Sequence, residues 1–570
     1  MNSHLKFDKQ FARDFWRLLK PYWKSEEKWS AWGLLSLNIV FTIAQVRASV
    51  ALNGLNRDFF NAIQTFNTSA LLTTLWQIVA IIAVILICFG YGFYFNQLLS
   101  VRWRRWLTKN YLKRWLADHT HYHLRVLNHN IDNPDQRISE DLDEFPSTTL
   151  GLFFMVFQST LTLASFGYIL WGLSGSLTIP IGSIHLMIPG YLCLAALLYA
   201  LLGTWVTSSI GRKLSRLNYQ LQQYNADFRF SLVRLREASE QVALCRGEAV
   251  EDGKFHKLFN KIFNNYVDIA EVKKRLMFFI NGYANAASIF GLVISLPMYF
   301  AKKIQLGVVM QISGAFSAVI GALSIVVENF SAFASWRSVI HRLAEFNRSM
   351  DSLSQSSSKI TVQGHGSQDI VIDKLNLVTP DGRTLMQEIN LVFGAGQTTL
   401  LSGATGLGKS TFLRAMAGIW PYGEGQIHLP QDANIMFLPQ KPYLPLGSLR
   451  EVLLYPNHAN ESDEVLNELL ALCGLKKLQH RLDENENWSH ELSLGEQQLI
   501  AFARIFLNKP DVVFLDESTS ALDEEMELKM YEKLRIHLPN ATIISVGHRS
   551  SLQKFHERQV PLSLTAETPA

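Results

Sequence analysis

The chain has 570 residues, 48% of them apolar or aromatic and 18% charged. That length exceeds one ordinary soluble domain, and so low a charge content argues against a wholly water-soluble protein. The net charge of +4 follows from where basic segments fall along the chain and gives no ground for a nucleic-acid partner.

The first stretch, FARDFWRLLKPYWKSEEKW, mixes aromatic and basic residues and predicts a helix lying at a membrane interface; it lacks the short apolar core and small-residue cleavage site of a removable signal. Apolar residues then gather at 29–50, 75–99, 151–174, 184–206, 276–300 and 306–331. Each stretch is about long enough to cross the roughly 30 Å hydrocarbon layer as a helix. Buried helices of a large soluble core are the competing reading, but LWQIVAIIAVILICFGYGFYF and HLMIPGYLCLAALLYALLGTWV have no charged face to turn to water.

The connections test this count. Basic residues crowd the N-terminal segment (Lys9, Arg13, Arg17, Lys20, Lys24), the segment after the second span (Arg102, Arg104, Arg105, Lys109, Lys113) and that after the fourth (Arg212, Lys213, Arg216, Arg229, Arg234). These belong in the cytoplasm. Between 51 and 74 only Arg57 is basic, 174–183 carries no charge, and Lys302 with Lys303 is the exception. Six spans return the chain to the cytoplasm, so everything beyond residue 340 is expected there. The widely separated Cys88, Cys193, Cys245 and Cys473 suggest neither a disulfide framework nor a zinc site.

Between the second and third spans, HTHYHLRVLNH places His119 and His123 on one helix face; with no third ligand evident, an interfacial helix is favoured over a metal site. DNPDQRISEDL follows, a turn at Asn133 and Pro134 leading into an acidic helix start, and suits an element that couples spans to the cytoplasmic part by docking near Gln440. Within the spans, Asn38, Gln45, Gln311, Ser313, Ser317 and Glu328 make the first and sixth more polar than the second and fourth. They are expected either to line a pathway or to hydrogen-bond between helices, while Arg47 can snorkel outward.

The domains expected are a transmembrane domain over 1–346, a pliable serine- and glycine-rich linker over 347–369, and an α/β domain over 370–570. In the last, DIVIDKLNLV, TTLLSG, NIMFLP, DVVFLD and ATIISV read as strands alternating with helices, the mark of a largely parallel sheet. TTLLSG, GATGLGKS and TFLRAMAGIW form strand, turn and helix, so backbone N–H groups and the helix dipole converge on a polyphosphate. Lys409 is expected to reach the β and γ phosphates of ATP and Ser410 to hold Mg²⁺. DVVFLDE ends a buried strand with Asp516, placed for the Mg²⁺ shell, and Glu517, placed as general base toward water. A second anion-binding loop, ELSLGEQQ, opens a later helix.

GATGLGKS, FLPQKPYLPLGSLRE, LSLGEQQ, VVFLDESTSALD and SVGHR occur in the order of an ABC transporter nucleotide-binding domain, which this part of the chain resembles. The resemblance implies a nucleotide set of Gly403, Ala404, Thr405, Gly406, Leu407, Gly408, Lys409, Ser410 and Thr411. It gives Gln440 a Mg²⁺ contact and a relay to the spans, His548 a γ-phosphate contact and Asp523 a place at a dimer seam. It also implies head-to-tail docking, with Ser493 and Gly495 of one copy closing on the ATP of the other. One such domain and six spans are half the usual complement, which implies a homodimer. The pattern departs from the general one at Leu494, at Leu499, and at Thr379 and Pro380, which offer no ring to stack on adenine.

NGLNRDFFNAI, VRWRRWLTKNYLKRWL, DNPDQRISEDL, REASEQVALCRGEAVE and AGIWPYGEGQI are similar to the peroxisomal-type, subfamily D, half-transporters and their bacterial SbmA/BacA-like relatives. That implies a six-helix exporter-type (type IV ABC) transmembrane domain before the α/β P-loop domain. It further implies an ATPase of the bacterial inner membrane that moves a bulky amphipathic solute such as cobalamin, a peptide-like compound or a long-chain acyl derivative. The alternative is a membrane-bound regulatory ATPase that signals its nucleotide state without transport.

Overall fold

The computed structural model describes residues 9–127, 133–174, 176–181, 184–355, 359–404, 406–457, 461–547 and 549–562. Contacts divide the chain into two units, Met1–Lys113 with Asn133–Asn347, and Arg114–Asp132 with Arg348–Ala570.

Six helices among the described residues are long and apolar enough to span a bilayer: Lys28–Gln64, Thr68–Val126, Pro134–Leu173, Tyr191–Glu237, Glu248–Phe300 and Leu306–Ile325; all belong to the first unit except the second from Arg114 onward. Several run well past hydrocarbon thickness, since 47 and 53 residues in the fourth and fifth extend roughly 70 and 80 Å. The helix Leu306–Glu328 is the hub, packing on the first, third, fourth and fifth spans. Its buried Ile312, Ala315, Phe316, Val319 and Ile320 meet Leu170, Leu192, Ala196 and Ala287.

The start of this hub is stitched to the first span. Asn61 Oδ1 accepts from Gly307 N at 2.9 Å and Gln64 Oε1 from Leu306 N at 2.8 Å, serving N–H groups that a helix start leaves without partners. A Cβ at Gly307 would lie 1.9 Å from Arg57 O, so only glycine permits this approach. One turn further, Asn53 Nδ2 donates to Gln311 O at 3.2 Å, and Ser313 Oγ donates to Ser288 O of the fifth span at 2.9 Å. Helix-to-helix bonding thus accounts for Ser313, whereas Gln311 contributes only its backbone carbonyl and its buried Oε1 has no partner among the described residues; Asn38 is buried and Arg47 exposed. Ser317 borders a cavity of about 270 Å³ between the fourth, fifth and sixth spans. The Glu328 side chain lies outside the described residues.

The fourth and fifth spans join through Tyr199 and Tyr283. Each phenol donates to the other's backbone carbonyl, at 2.7 and 2.9 Å, and the rings stack with centroids 4.4 Å apart. Tyr22 of the N-terminal helix Lys9–Trp23 is fully buried against Trp103, so this segment packs into the unit. Asp141 is likewise buried, ion-paired to Arg137 and Arg342.

Two sequence expectations differ. The fourth span begins at Tyr191, because Ser176–Ile181 and Ile184–Pro189 form an antiparallel hairpin; short apolar runs rich in β-branched residues do not reveal by periodicity whether they are strand or helix. The stretch 347–369 holds the end of the helix Phe330–Gln355 and the strand Lys359–His365. Met350 and Ile360, one in each element, are buried; residues 356–358 of the expected linker lie outside the described residues.

In the second unit a wholly parallel five-stranded sheet runs in the order Arg558–Pro561, Thr398–Ser402, Thr542–Val546, Val512–Asp516, Ile435–Leu438. The inner strands are buried along almost their whole length, as a parallel sheet covered on both faces requires, and Phe514 stacks on Phe437 at 4.4 Å. A four-stranded, mostly antiparallel sheet contains Lys359–His365, Gly423–Pro430, Ile370–Val378 and Thr384–Phe393. The loops that follow four parallel strands therefore leave the same edge, where ligands of open α/β sheets sit.

Candidate nucleotide site

Thr398–Leu401 is buried and delivers the chain into the turn Gly403–Gly408. Gly408, at φ 94° and with its missing Cβ facing Leu385, caps the helix Lys409–Met416. Lys409 is buried and folds back over the turn, donating to the carbonyls of Gly403 at 2.8 Å and Ala404 at 3.1 Å. Burial pushes its amine below the ordinary lysine value, while Glu517 and Asp516 act in the opposite sense.

Ser410 Oγ donates to Asp516 Oδ1 at 3.0 Å, and Gln440 Nε2 donates to Glu517 Oε2 at 3.1 Å. Burial raises the Asp516 carboxyl, Glu517 adding to this, while the Ser410 hydrogen bond, Arg414 and Lys409 pull the other way. Glu517 stands at φ 48° with its N–H bonded to Val546 O. A left-handed glutamate is a strained conformation, and here it follows directly on the strand that carries Asp516. The structure thus gathers Lys409, Ser410, Asp516, Glu517 and Gln440 at one sheet edge. Thr405 and His548 lie outside the described residues.

The second loop is organised separately. Ser493 caps the helix Leu494–Asn508 in a capping box: its Oγ accepts from Glu496 N, and Glu496 Oε2 accepts from both the N–H and the hydroxyl of Ser493, at 2.9 and 2.8 Å. Lys477 ion-pairs with Glu496. Gly495 presses on the next loop, where an added Cβ would lie 3.0 Å from Ala521 O. Among the described residues the side-chain hydrogen bonds of Ser493 all go to Glu496, and none joins it to Lys409. Asp523 caps the helix Glu524–His537 through Met526 N at 2.7 Å.

Two residues that sequence reasoning passed over tie these loops together. Gln498, fully buried, donates to Gln440 O at 2.9 Å and to Ser520 Oγ at 3.2 Å, and accepts from Ala521 N at 3.1 Å. Arg504 is buried with its guanidinium on Val452 O and Tyr443 O and over the Tyr455 ring, and burial pushes it down to about 10. The available signal was two polar positions, Gln498 and Arg504, in the otherwise apolar stretch QLIAFARIF.

The segment Thr120–Leu127 also belongs to this unit. His123 Nε2 stands 3.1 Å from Ile419 O, Val126 packs on the sheet's core, and burial lowers the His123 pKa. The histidine-bearing stretch, expected to be an interfacial helix, thus packs on the nucleotide unit, whereas Asn133–Asp141 is part of the first unit.

Residues 18–300 match the family described as ABC transporter transmembrane region 2, and residues 386–520 match that described as ABC transporter. The chain is 33% identical to ABC transporter D family member 2, chloroplastic, of Arabidopsis thaliana, covering 97% of this chain and 86% of that one. It is 27% identical to the lysosomal cobalamin transporter ABCD4 of Homo sapiens, covering 97% and 94%. Its fold matches a solved bacterial Atm1-family ABC exporter with ATP bound at TM-score 0.71 and 17% identity, over 94% of each chain. The chain belongs to the ABC transporters, as a multi-pass half-transporter in which a type IV exporter-fold transmembrane region is fused to one ATP-binding domain.

Proposed function

We propose that two copies of this chain form a homodimer that couples ATP hydrolysis to the movement of a bulky amphipathic solute across the bacterial inner membrane. The observation that carries the hydrolytic part is the convergence of Lys409, Ser410, Asp516, Glu517 and Gln440 behind six spans. The resemblance to subfamily D and the similarity to a cobalamin transporter support cobalamin, a peptide-like compound or a long-chain acyl derivative as cargo.

On this reading Lys409 exchanges the carbonyls of Gly403 and Ala404 for the β and γ phosphates, and the anion restores the ammonium that burial disfavours. The turn from Gly403 through Leu407 and Gly408 to Thr411 supplies backbone N–H groups to the phosphates. Ser410, Asp516 and the amide oxygen of Gln440 are hard oxygen donors grouped beside the P-loop and suit Mg²⁺. When bound, Mg²⁺ neutralises phosphate charge. Glu517 takes a proton from the attacking water, which requires its carboxylate to exchange Gln440 for that water. His548 contacts the γ-phosphate. The partner's Ser493 and Gly495 close the site, Ser493 turning its hydroxyl from Glu496 to the phosphate, and Asp523 lies at the seam.

Sealed vesicles containing the purified chain test the whole reading. ATP-dependent flux of labelled cobalamin, an acyl-CoA ester or a proline-rich peptide is expected. Hydrolysis with no flux of any of them favours the regulatory ATPase instead.

A further inference from the structure

The helix Glu524–His537 carries Glu527 in its first turn, 1% exposed. The helix start does not require it there, because Asp523 already provides the cap. A carboxylate taken out of water is unfavourable unless donors surround it, and here they come from two different loops. Thr519 Oγ1 donates to Oε1 at 2.5 Å, from the loop that follows Glu517. Ser551 Oγ donates to Oε2 at 2.8 Å, and Arg549 Nη1 stands 3.6 Å from the same oxygen, both from the loop after the strand Thr542–Val546.

Arg549 closes the circuit. Its Nη1 donates to Leu522 O at 2.9 Å and its Nη2 to Ser520 O at 3.0 Å. The guanidinium therefore spans two carbonyls of the loop whose threonine holds the other oxygen of Glu527. A lysine, with one compact ammonium, lacks that fork. On the opposite side, Gln498 fixes Ala521 N and Ser520 Oγ. The loop from Ser518 to Leu522 is held on both sides, with Glu517 at one end and Asp523 at the other.

We infer that Glu527 is a positioning residue for hydrolysis: its buried carboxylate, through Arg549, binds the loop Ser518–Leu522 and the segment Arg549–Ser551 into one body and so fixes where Glu517 points. This rests on the reading of Glu517 as the base. The strained backbone of Glu517 makes the need concrete, because a left-handed glutamate relaxes once its flanking loop is released. An error of about 1 Å in a reacting group can cost about 100-fold in rate.

The test uses the full-length purified chain, with ATPase rate, KM for ATP, binding of a non-hydrolysable ATP analogue and thermal unfolding measured on each variant. Glu527→Gln and Arg549→Gln are each expected to lower kcat by about 10- to 100-fold while KM and analogue affinity stay within about twofold. The double variant is expected to be no slower than either single one, as for two residues acting as a unit. Arg549→Lys, which keeps the charge, is expected to show the same loss of kcat with unchanged KM, and it carries the test if Glu527→Gln does not fold. Unchanged kcat in Glu527→Gln or Arg549→Lys overturns the inference, as do multiplicative effects in the double variant or a loss of kcat matched by the loss of folded protein. If instead the wild-type chain hydrolyses no ATP, or Glu517→Gln hydrolyses it at full rate, the nucleotide-site reading fails and not this one alone.

Discussion

Gln440 Nε2 donates to Glu517 Oε2 at 3.1 Å, a bond between the loops that leave two adjacent parallel strands, Ile435–Leu438 and Val512–Asp516. A pull on the glutamine is therefore felt at the carboxylate. Glu517→Gln keeps the size of the side chain and removes the proposed base. Phosphate release is expected to fall by about 100- to 10,000-fold, with ATP analogue binding retained. Normal turnover in this variant would reassign the base.

The carboxylate of Glu496 occupies the N–H and hydroxyl of Ser493, so a phosphate approaching Ser493 meets a negative charge. Glu496→Gln retains a capping side chain and removes the charge. KM for ATP is expected to fall by about two- to fivefold, the scale of one exposed charge pair. A rise in KM would show that Glu496 serves the phosphate rather than opposing it.

Half-buried His123 sits with its Nε2 near Ile419 O, and burial, its main influence, lowers its pKa; His119 and His121 act in the same sense and the carbonyl against it. With the folded value below the unfolded one, the unfolded segment binds the proton more readily. Docking is then weakened below the folded pKa, and the penalty fades as pH rises through the ordinary histidine range near 6.5. Amides of residues 120–127 should lose hydrogen-exchange protection, corrected for intrinsic rates, between pH 7.5 and 5.5. His123→Gln should flatten that dependence.

Gly307 touches Arg57 O so closely that a methyl group forces the first and sixth spans apart. Gly307→Ala is expected to destabilise the membrane unit by about 1–3 kcal/mol, read as a lower unfolding midpoint in detergent. Gly321→Ala, where a Cβ meets nothing within 4 Å, is the matched control and should leave the midpoint nearly unchanged.

The proximity of Lys409, Ser410 and Asp516 was legible because a strand, a glycine turn and a helix start are local signals, and a buried strand ending in acid marks its own carboxyl end. The six spans were legible from uninterrupted apolar length. The hairpin before Tyr191 was not, since its residues are as apolar as a span. Nor was the packing of Thr120–Leu127 on the nucleotide unit, which depends on a carbonyl 296 residues away. Gln498 and Glu527 escaped for a related reason: their partners come from loops that meet only after the sheet has formed, and a lone polar letter does not say which loops those are.

The crossed phenol bonds of Tyr199 and Tyr283 reach further than their own two helices. Each ring seals the other's backbone, and Gly203 sits so tightly under Tyr283 that a methyl there would strike the ring at 2.3 Å. The fourth and fifth spans therefore travel as one strut. On the proposed transport reading, the crack that admits cargo opens along some other boundary, and a solute wedged between these two rods would first have to unfasten both tyrosines.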